Sequence, residues 1–512
     1  MGCSVRRAGK GRTHGRDGPG PRRGAGVRKV AAVAAHAAAW IAVVAIGVGG
    51  CGDDEGGADP GNAGGDAGVS GGSAGQGGTS AGGAGGAGGS GGSGASGGAG
   101  GSGGAGGSSS GGAAGAGGAG APGVECPALS SPTGSVVQVT AAQAGDLPNI
   151  VFNAAAGTTF LLEDGTYALA SGLQLAKAGM VLRSASNDAT RVILDGGFQV
   201  NETIAVSASD VTIAHITVER AIHHPIHVYT PASGADVTGT RIYGVTIIDG
   251  GQQFVKVNPG TTGGWVDQGA VECSYFKMTD AGRAQVVDCY TGGIDVHAGW
   301  NWVVRNNRFE DIYCTTGQVA EHAVHFWRGA RGTLVENNVI VNCARGIGFG
   351  LDGGVGVRDY PDAPNGGVKL AHYDGIIRNN VVFADIAWFD SGIELAIAKR
   401  PVVVHNTILA ASTATSFFSS IDYRFAETDA FIANNLTTRI TQRDAASGTV
   451  QNNLEQTPLA LFVDAAALDF HLNASATSAI DQGVDTGQGG VDLDGQPHDV
   501  GAPDIGADEV SP

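Results

Sequence analysis

Residues 290–309 read YTGGIDVHAGWNWVVRNNRF, and residues 320–338 read AEHAVHFWRGARGTLVENN. Each segment starts with an apolar run that alternates with polar residues, and each ends in a β-rich run followed by Asn-Asn. The interval from Ile294 to Asn307 is 13 residues, and the interval from Val324 to Asn338 is 14. The segments are therefore two copies of one structural unit, and they also carry the densest group of reactive side chains in the chain.

The asparagine pattern recurs through the C-terminal half of the chain. Short runs of Val, Ile, Phe and Thr bounded by Gly and Asn are strand signals, and helical periodicity is absent here. Asparagines at equivalent turns can stack, with each side-chain amide bonding the next. The copies are VVRNNRF, LVENNVI, IIRNNVV, VVVHNTI, FIANNLT and TVQNNLE, ending near residues 309, 340, 382, 408, 437 and 455.

Stacked coils with loops of unequal size explain these spacings. The pattern predicts an all-β chain folded as a right-handed parallel β-helix, a solenoid. A β-sandwich of many short strands is the alternative, and the long coil spacing disfavours it. The residues that start the aligned strands are Ile226, Val255, Ile294, Val324, Ile347, Ile393 and Ile421.

The N-terminal part of the chain has a different composition. Residues 1–50 combine a basic region with an apolar run, and the small residues that end at Cys51 resemble the lipobox of bacterial lipoproteins. That resemblance implies a cleaved signal, lipidation of Cys51 and an exported lipoprotein at the outer membrane or cell surface of a bacterium. An ordinary signal peptide or an anchor helix is the alternative.

We expect four regions along the chain. They are a signal peptide (1–50), a disordered Gly/Ala/Ser-rich linker (51–125), the β-helix (126–460) and a closing segment (461–512). The linker lacks the apolar surface needed to offset chain ordering.

The net charge of the chain limits the kinds of molecule that it can bind. Without residues 1–50 the chain keeps 21 Lys/Arg and 47 Asp/Glu, a net charge of 21 − 47 = −26. This balance argues against nucleic acid, because neutralising phosphates needs a basic surface. An acidic polysaccharide would need a local cationic site or a bridging metal ion such as Ca²⁺. We expect a monomer that meets the membrane only through its N-terminal lipid.

Export permits disulfides. Cys314 and Cys343 follow equivalent asparagines on adjacent coils, which makes them one candidate pair, and Cys273 with Cys289 is a second. One further cysteine of the folded region remains without a partner.

Strand alternation sorts the aligned residues into inward apolar and outward polar positions. Lys256, Asp295, His297 and His325 point outward on successive coils about 4.8 Å apart, so they should form one patch. Two long segments, 259–283 and 352–374, are expected to be loops beside it. A slip of one residue in register would reverse the assignment.

The chain also resembles the pectate-lyase-like superfamily. LLEDGTYAL (161–169) is similar to the opening strand and turn of its polysaccharide lyases, and the resemblance covers roughly residues 138–456. The end of the chain, DFHLNASATSAIDQG (469–483) and DLDGQPHDVGAPDIGADE (492–509), resembles the closing segment of bacterial surface β-helix proteins. Its acidic residues are expected to be structural.

The outward patch suits β-elimination on a uronic-acid polysaccharide. That reaction needs a cation for the sugar carboxylate, a base and an acid. Lys256 or Arg345 could supply the cation, and His297 or His325 the base, oriented by Asp295 or Glu321, while Tyr290 could be the acid. The substrate-binding candidates are Asn258, Glu272, Trp302, Trp327, Arg345, Gly348 and Gly350, the two glycines forming a floor for a sugar ring.

Other functions stay open at this point. Hydrolysis with Asp295 and Glu321 as paired carboxylates is a second enzymatic hypothesis. A non-catalytic surface protein that binds glycan, or an adhesin, is a hypothesis from a different class. Glu272 and Lys277 resemble the glutamate and lysine, five residues apart, of β-helix alginate and chondroitin lyases. A metal site from His297, His322 and His325 is conceivable, and the metal, if any, is not identified by the sequence.

Overall fold

The structure is a computed structural model that describes residues 126–316, 318–351, 358–363, 369–498 and 501–510. The predicted signal peptide, the predicted linker and Cys51 lie outside these ranges. Within them, no helix combines the length and the apolar character needed to cross a bilayer.

Three long parallel sheets build the fold. The first sheet contains Val136–Val139, Thr159–Leu162, Val181–Ser184, Thr212–Ala214, Arg241–Tyr243, Ala270–Glu272, Val303–Arg305, Leu334–Glu336, Ile376–Arg378, Ala398–Val404, Asp429–Ala433 and Ser447–Gln451, with Ala330–Arg331 and His372–Tyr373 beside them. The second contains Gly165–Ala168, Val192–Asp195, Thr217–Ala221, Thr246–Gly250, Tyr275–Lys277, Arg308–Glu310, Val339–Val341, Val381–Ala384, Thr407–Ala410 and Leu436–Thr437. The third contains Leu173–Leu175, Glu202–Val206, His224–Tyr229, Val255–Asn258, Ile294–His297, His322–Trp327, Arg345–Phe349, Ser391–Ala396, Ser419–Arg424 and Ile440–Arg443.

The remaining elements are small. Val237–Thr238 pairs with Val266–Asp267, and Phe462–Asp464 pairs with Asp469–Leu472 in antiparallel fashion. The helices are Leu147–Asn153 and Asp280–Arg283, and the 3₁₀ turns are Ala141–Gln143, Ala189–Arg191, Leu459–Leu461 and Ala465–Ala467.

The chain visits the three sheets in a fixed order, first, second, third, and then rises to the next coil. Each coil pairs in parallel with the coil before it and the coil after it. The prediction of an all-β parallel β-helix is therefore confirmed. The pairing also confirms the predicted alignment of strands, because Val255 lies opposite Ile226 and Ile294, and Val324 lies opposite Ile294 and Ile347.

The asparagine pattern occupies the two-residue turn between the first and second sheets. The first residue of that turn has a left-handed backbone, with φ of 57° at Asn306 and 54° at Asn337. Asparagine tolerates this conformation better than most residues. The second residue of the turn faces the interior and forms a continuous ladder through Asn307, Asn338, Asn380, Asn406, Asn435 and Asn453.

Each ladder residue satisfies several backbone groups at once. The Asn338 amide nitrogen donates to the Val304 carbonyl at 2.9 Å and to the Asn380 side-chain oxygen at 2.9 Å. Its own side-chain oxygen accepts from the backbone and side chain of Asn307, both at 3.0 Å. Because the side chain is fully buried, these polar groups have no access to water.

The interior is a continuous apolar column. All of the inward residues assigned from the sequence are completely buried, including Ile226, Val257, Ile294, Phe326 and Ile393. The closing segment covers a second apolar cluster on the outside of the second sheet, formed by residues such as Val339, Phe383 and Leu436. Acidic side chains in this segment cap backbone amides: Asp492 accepts from the amides of Asp494 and Gln496, and Asp508 accepts from that of Leu472. They are structural, as the sequence predicts.

Two predictions about the covalent and loop structure were wrong. The disulfides join Cys126 to Cys273 and Cys289 to Cys314, while Cys343 is a buried free thiol. The Cys343 side chain packs into the interior of the solenoid, so it cannot face Cys314. Residues 259–283 are not a loop but include one strand in each of the first two sheets. The asparagine pattern does not mark these strands, because Cys273 and Ser274 take the places in the turn that two asparagines hold elsewhere.

We expect Asn338→Ala to lower the free energy of unfolding by roughly 3 kcal/mol, because several buried donors and acceptors lose their partners together. Asn153→Ala, an exposed position in the first helix, serves as the control and should change it by less than about 0.5 kcal/mol. Urea unfolding of both variants measures the difference. Equal effects would show that the ladder contributes nothing particular to stability.

Candidate functional site

A row of polar residues runs across the outer face of the third sheet. Strand pairing places Lys256 beside Asp295, Asp295 beside His325, and Gly348 beside Glu394. We call this the charged row; in coil order it consists of His227, Lys256, Asp295, His325, Gly348, Glu394 and Asp422. The register places these side chains on one face, as the sequence predicts.

The centre of the charged row is a buried ion pair. Lys256 Nζ lies 2.6 Å from Asp295 Oδ2, 3.0 Å from His297 Nε2 and 3.5 Å from the Tyr290 hydroxyl. Asp295 Oδ2 also lies 3.2 Å from His297 Nε2. Lys256, Asp295 and His297 are each under a tenth exposed, whereas Tyr290 is only half-buried. Tyr290 therefore connects the buried pair to the surface.

Burial and charge set the protonation of this group. Burial opposes the charge on Lys256, but the Asp295 carboxylate outweighs it and raises the pKa of Lys256. Burial would likewise raise the pKa of Asp295, yet Lys256 and His297 hold it well below its ordinary value. The pair is thus ionised and carries no net charge.

The neighbouring imidazoles are neutral at pH 7. Burial, reinforced by the Lys256 charge, lowers the pKa of His297 to about 4. Burial, reinforced by His322, lowers the pKa of His325 to about 4 as well. Both side chains therefore keep one unprotonated ring nitrogen across the neutral pH range.

Trp327 forms a wall of the group. Its indole nitrogen donates to Asp295 Oδ1 at 2.8 Å, its ring stacks on His325 with centroids 5.3 Å apart, and its ring meets the edge of His297 at 4.8 Å. The ring is half-buried, so one part stays accessible. Trp327 holds Asp295 in place, and its predicted contact with sugar stays a prediction.

A second group follows on the next coils. His322 Nε2 lies 3.2 Å from Glu394 Oε2, and Arg424 pairs with the other oxygen of Glu394. Burial would raise the pKa of Glu394, but the hydrogen bond from His322 and the nearby arginines hold it far below its ordinary value. Arg345 lies 3.5 Å from Asp390 and keeps a fifth of its side chain exposed.

Two groups in the described ranges have ligand atoms close enough together to hold a metal ion. They are Glu321 with His322 and His325, and His471 with Asp494 and Asp508; in each the atoms lie within 4.8 Å of one another. The set of three histidines considered from the sequence is not the one that forms, because Glu321 takes the place of His297. His322 and His325 do share one face, with ring centroids 4.5 Å apart.

Several predicted binding residues lie elsewhere or are already occupied. Trp302 is completely buried, and its indole nitrogen donates to the Val266 carbonyl at 3.0 Å, so it belongs to the core. Glu272 lies on the first sheet, between Arg241 at 2.8 Å and Arg305 at 2.9 Å. This ion ladder continues through Glu336 and Arg378 and accounts for Glu272 without a ligand.

The resemblance carried by Glu272 and Lys277 does not produce a joint site. Glu272 ends a strand of the first sheet, whereas Lys277 ends a strand of the second sheet. Lys277 forms ion pairs with Glu310 and Asp311, both at 3.0 Å. The two residues therefore belong to separate ion networks, and neither touches the charged row.

The space over Gly348 and Gly350, which the sequence predicts as a floor for a sugar ring, is occupied by the protein itself. A Cβ atom on Gly348 would lie 2.8 Å from the His322 ring, and one on Gly350 would lie 1.9 Å from the Ala396 carbonyl oxygen. Gly350 also has a φ of +79°, which favours glycine. The absence of side chains at these positions serves ring packing and coil stacking rather than a sugar.

Asn258 is held by its neighbours too. Its side-chain oxygen lies 2.6 Å from His227 Nε2, and His227 Nδ1 lies 2.6 Å from Glu202.

The sequence reasoning missed Glu394 as a site residue, although its outward position opposite Gly348 follows from the strand alignment. It also did not predict the burial of the charged row.

Comparisons with known proteins identify fold neighbours only. No protein-family model and no curated protein sequence matches the chain. An alginate lyase from Paenibacillus sp. str. FPU-7 is 14% identical over 62% of this chain and 99% of its own, with a TM-score of 0.42. Pectate lyase Pel9A is 13% identical over 74% and 97%, with a TM-score of 0.37. PfbA, a surface adhesin of Streptococcus pneumoniae, is 12% identical over 63% and 91%, with a TM-score of 0.35.

We expect Lys256→Met to lower the free energy of unfolding by about 3–5 kcal/mol, because it leaves Asp295 buried and uncompensated. Adding Asp295→Asn should recover part of this loss, since the amide keeps an acceptor for the Trp327 indole. Lys399→Met removes the partly exposed pair with Asp429 and should cost under about 1 kcal/mol. Denaturant unfolding measures all three; a double variant no more stable than Lys256→Met would contradict the coupling.

The similarity to the alginate lyase, the pectate lyase and the adhesin says nothing about the chemistry of this chain. The fold rests on the strand pairing alone, which shows a parallel β-helix built from three sheets.

Proposed function

We propose that the protein acts on a polysaccharide and that the charged row carries out β-elimination at a uronic acid. The supporting observation is the Lys256 ammonium, which is buried against Asp295 and His297 and lies 3.5 Å from the half-buried Tyr290 hydroxyl. An ion pair of this kind costs desolvation energy, and a stable solenoid does not require it. Its contact with the hydroxyl of a half-buried tyrosine favours a role in moving protons.

The geometry supports a division of roles. Tyr290 is the member of the group that reaches the surface, so it exchanges protons with the sugar and protonates the leaving oxygen. Lys256 lies behind it, between the Tyr290 hydroxyl and the neutral imidazole of His297. The hydroxyl passes its own proton inward through Lys256 to His297 as its oxygen takes the proton beside the carboxylate, and the stored proton returns after Tyr290 has protonated the leaving oxygen. General acid–base steps of this kind contribute roughly 10²–10⁴-fold to a rate.

The cation for the sugar carboxylate is better assigned to Arg345 than to Lys256. The charge of Lys256 is already balanced by Asp295 at 2.6 Å. Arg345 lies on the strand Arg345–Phe349 of the same sheet, its pairing with Asp390 is longer at 3.5 Å, and its side chain is partly exposed. A planar guanidinium also matches a carboxylate in a two-pronged contact.

Hydrolysis has weaker support. A hydrolase would need Asp295 to contact water or the sugar, but this carboxylate is buried and accepts from Lys256 and Trp327. Its oxygens are therefore committed to positioning the group.

Glycan binding without catalysis is a second candidate, supported by a separate surface. A cleft of about 400 Å³ lies beside the first sheet and contains aromatic and arginine side chains, most of them partly buried. Aromatic faces and guanidinium groups are suited to sugar rings and their acidic substituents. The cleft is lined by Trp265, Trp300, Arg331, Arg358, Tyr360 and Asp362, among others.

We expect Tyr290→Phe to reduce the rate of β-elimination by at least about 10²-fold with little change in glycan binding, because only the hydroxyl is lost. The assay follows the ultraviolet absorbance of the unsaturated uronate on pectate, alginate and glycosaminoglycans. Tyr275→Phe, on the second sheet with its hydroxyl 2.5 Å from Glu310, is the matched control and should keep full activity.

The same assay separates the two candidates. If the wild-type protein produces no unsaturated uronate from any acidic glycan, the lyase proposal fails. Glycan binding that persists in that case, and that is lost in Trp300→Ala, would favour the binding role.

A further inference from the structure

Two buried imidazoles on the strand His322–Trp327 each have one nitrogen committed to an acceptor. His325 Nε2 lies 3.2 Å from the Gly350 carbonyl oxygen, which can only accept, so this nitrogen carries the proton. His322 Nε2 lies 3.2 Å from Glu394, an ionised carboxylate that also only accepts. In the neutral form of each ring, the lone pair is therefore on Nδ1.

Neither Nδ1 atom has a suitable partner. His322 is 1% exposed, and its Nδ1 is buried without a hydrogen bond. His325 Nδ1 faces Asp295 Oδ1 at 3.7 Å and Glu321 Oε2 at 3.9 Å, both carboxylate oxygens that offer no proton. Lone pairs that meet only other acceptors in a buried site are unfavourable unless a cation lies between them.

Glu321 completes a set of three donors. It precedes His322 directly, and one ligand atom from each of Glu321, His322 and His325 lies within 4.8 Å of the others. With metal–ligand bonds of about 2.0–2.2 Å, tetrahedral ligands stand roughly 3.4 Å apart, so the set must close by up to about 1.4 Å. Glu321 can supply that movement because 28% of its side chain is exposed.

We propose that Glu321, His322 and His325 form a binding site for a divalent transition-metal ion of the zinc type. Two imidazole nitrogens and one carboxylate suit such ions, and three protein ligands leave one position open. Glu394 and the Gly350 carbonyl orient the two rings from behind, as the outer partners of metal-bound histidines commonly do. Calcium, which prefers six to eight oxygen ligands, does not fit this donor set.

The site adjoins the centre of the charged row through Asp295. A divalent ion bound to one carboxylate and two neutral imidazoles keeps a net positive charge, next to a Lys256–Asp295 pair that has none. Metal binding itself does not rest on the proposed lyase activity, because it is measured without any glycan.

The test uses the full chain after chelator treatment, titrated with zinc alone by calorimetry and with cobalt(II) by absorption spectroscopy. We expect one zinc ion to bind with a dissociation constant at or below the micromolar range, and calcium to bind at least 100-fold more weakly. Glu321→Gln should weaken zinc at least tenfold and His322→Gln at least 100-fold. His471→Asn, in the other candidate group, is the control and should leave this binding unchanged.

X-ray absorption of the zinc-loaded wild-type protein gives a readout that needs no variant, and it should report two imidazole ligands and oxygen donors. The proposal is overturned if zinc does not bind, if it binds equally well to Glu321→Gln and His322→Gln, or if only His471→Asn abolishes binding. Zinc binding without any β-elimination would leave this site standing while the lyase proposal failed.

Discussion

The stacked asparagine side chains are the constraint on which the rest of the structure depends. From Asn307 to Asn435, each fully buried amide bonds the coil before it and the coil after it, so a coil cannot slip by one residue without leaving several polar groups unpaired. The ladder lies in the turn between the first and second sheets. Through the covalent geometry of each coil, it also fixes the register of the third sheet, where the charged row lies.

Because the register is fixed, residues at equivalent positions of successive coils lie side by side and form a row. Lys256, Asp295 and His325 are far apart in sequence but occupy equivalent places on successive strands, one strand spacing apart. The same rule brings Glu394 opposite Gly348, where the missing side chain leaves room for the His322 ring. Polar groups packed this closely must supply one another's hydrogen bonds and opposite charges. The ionised Lys256–Asp295 pair and the neutral imidazoles beside it follow from that requirement.

The repeat made the fold and the strand alignment predictable from the sequence. Alternation then placed Lys256, Asp295, His297 and His325 on one face, and the structure brings them together as expected. Burial was not predictable, because it depends on how neighbouring side chains such as Trp327 lie across the row. Where Cys273 and Ser274 replace the asparagines, the sequence carries no asparagine signal, so the strands on either side of them cannot be told from a loop. Trp302, Glu272, Gly348 and Gly350 were assigned to sugar because alternation does not distinguish a packed or ion-paired position from a free one.

The central claim is that the charged row, with Tyr290 at its surface, is where the protein meets its substrate. A crystal structure of Tyr290→Phe with an oligosaccharide of uronic acids tests it most directly. The account predicts a sugar ring against position 290, with its carboxylate on Arg345. A sugar bound only in the cleft beside Trp265 and Trp300, with the charged row untouched, would contradict it.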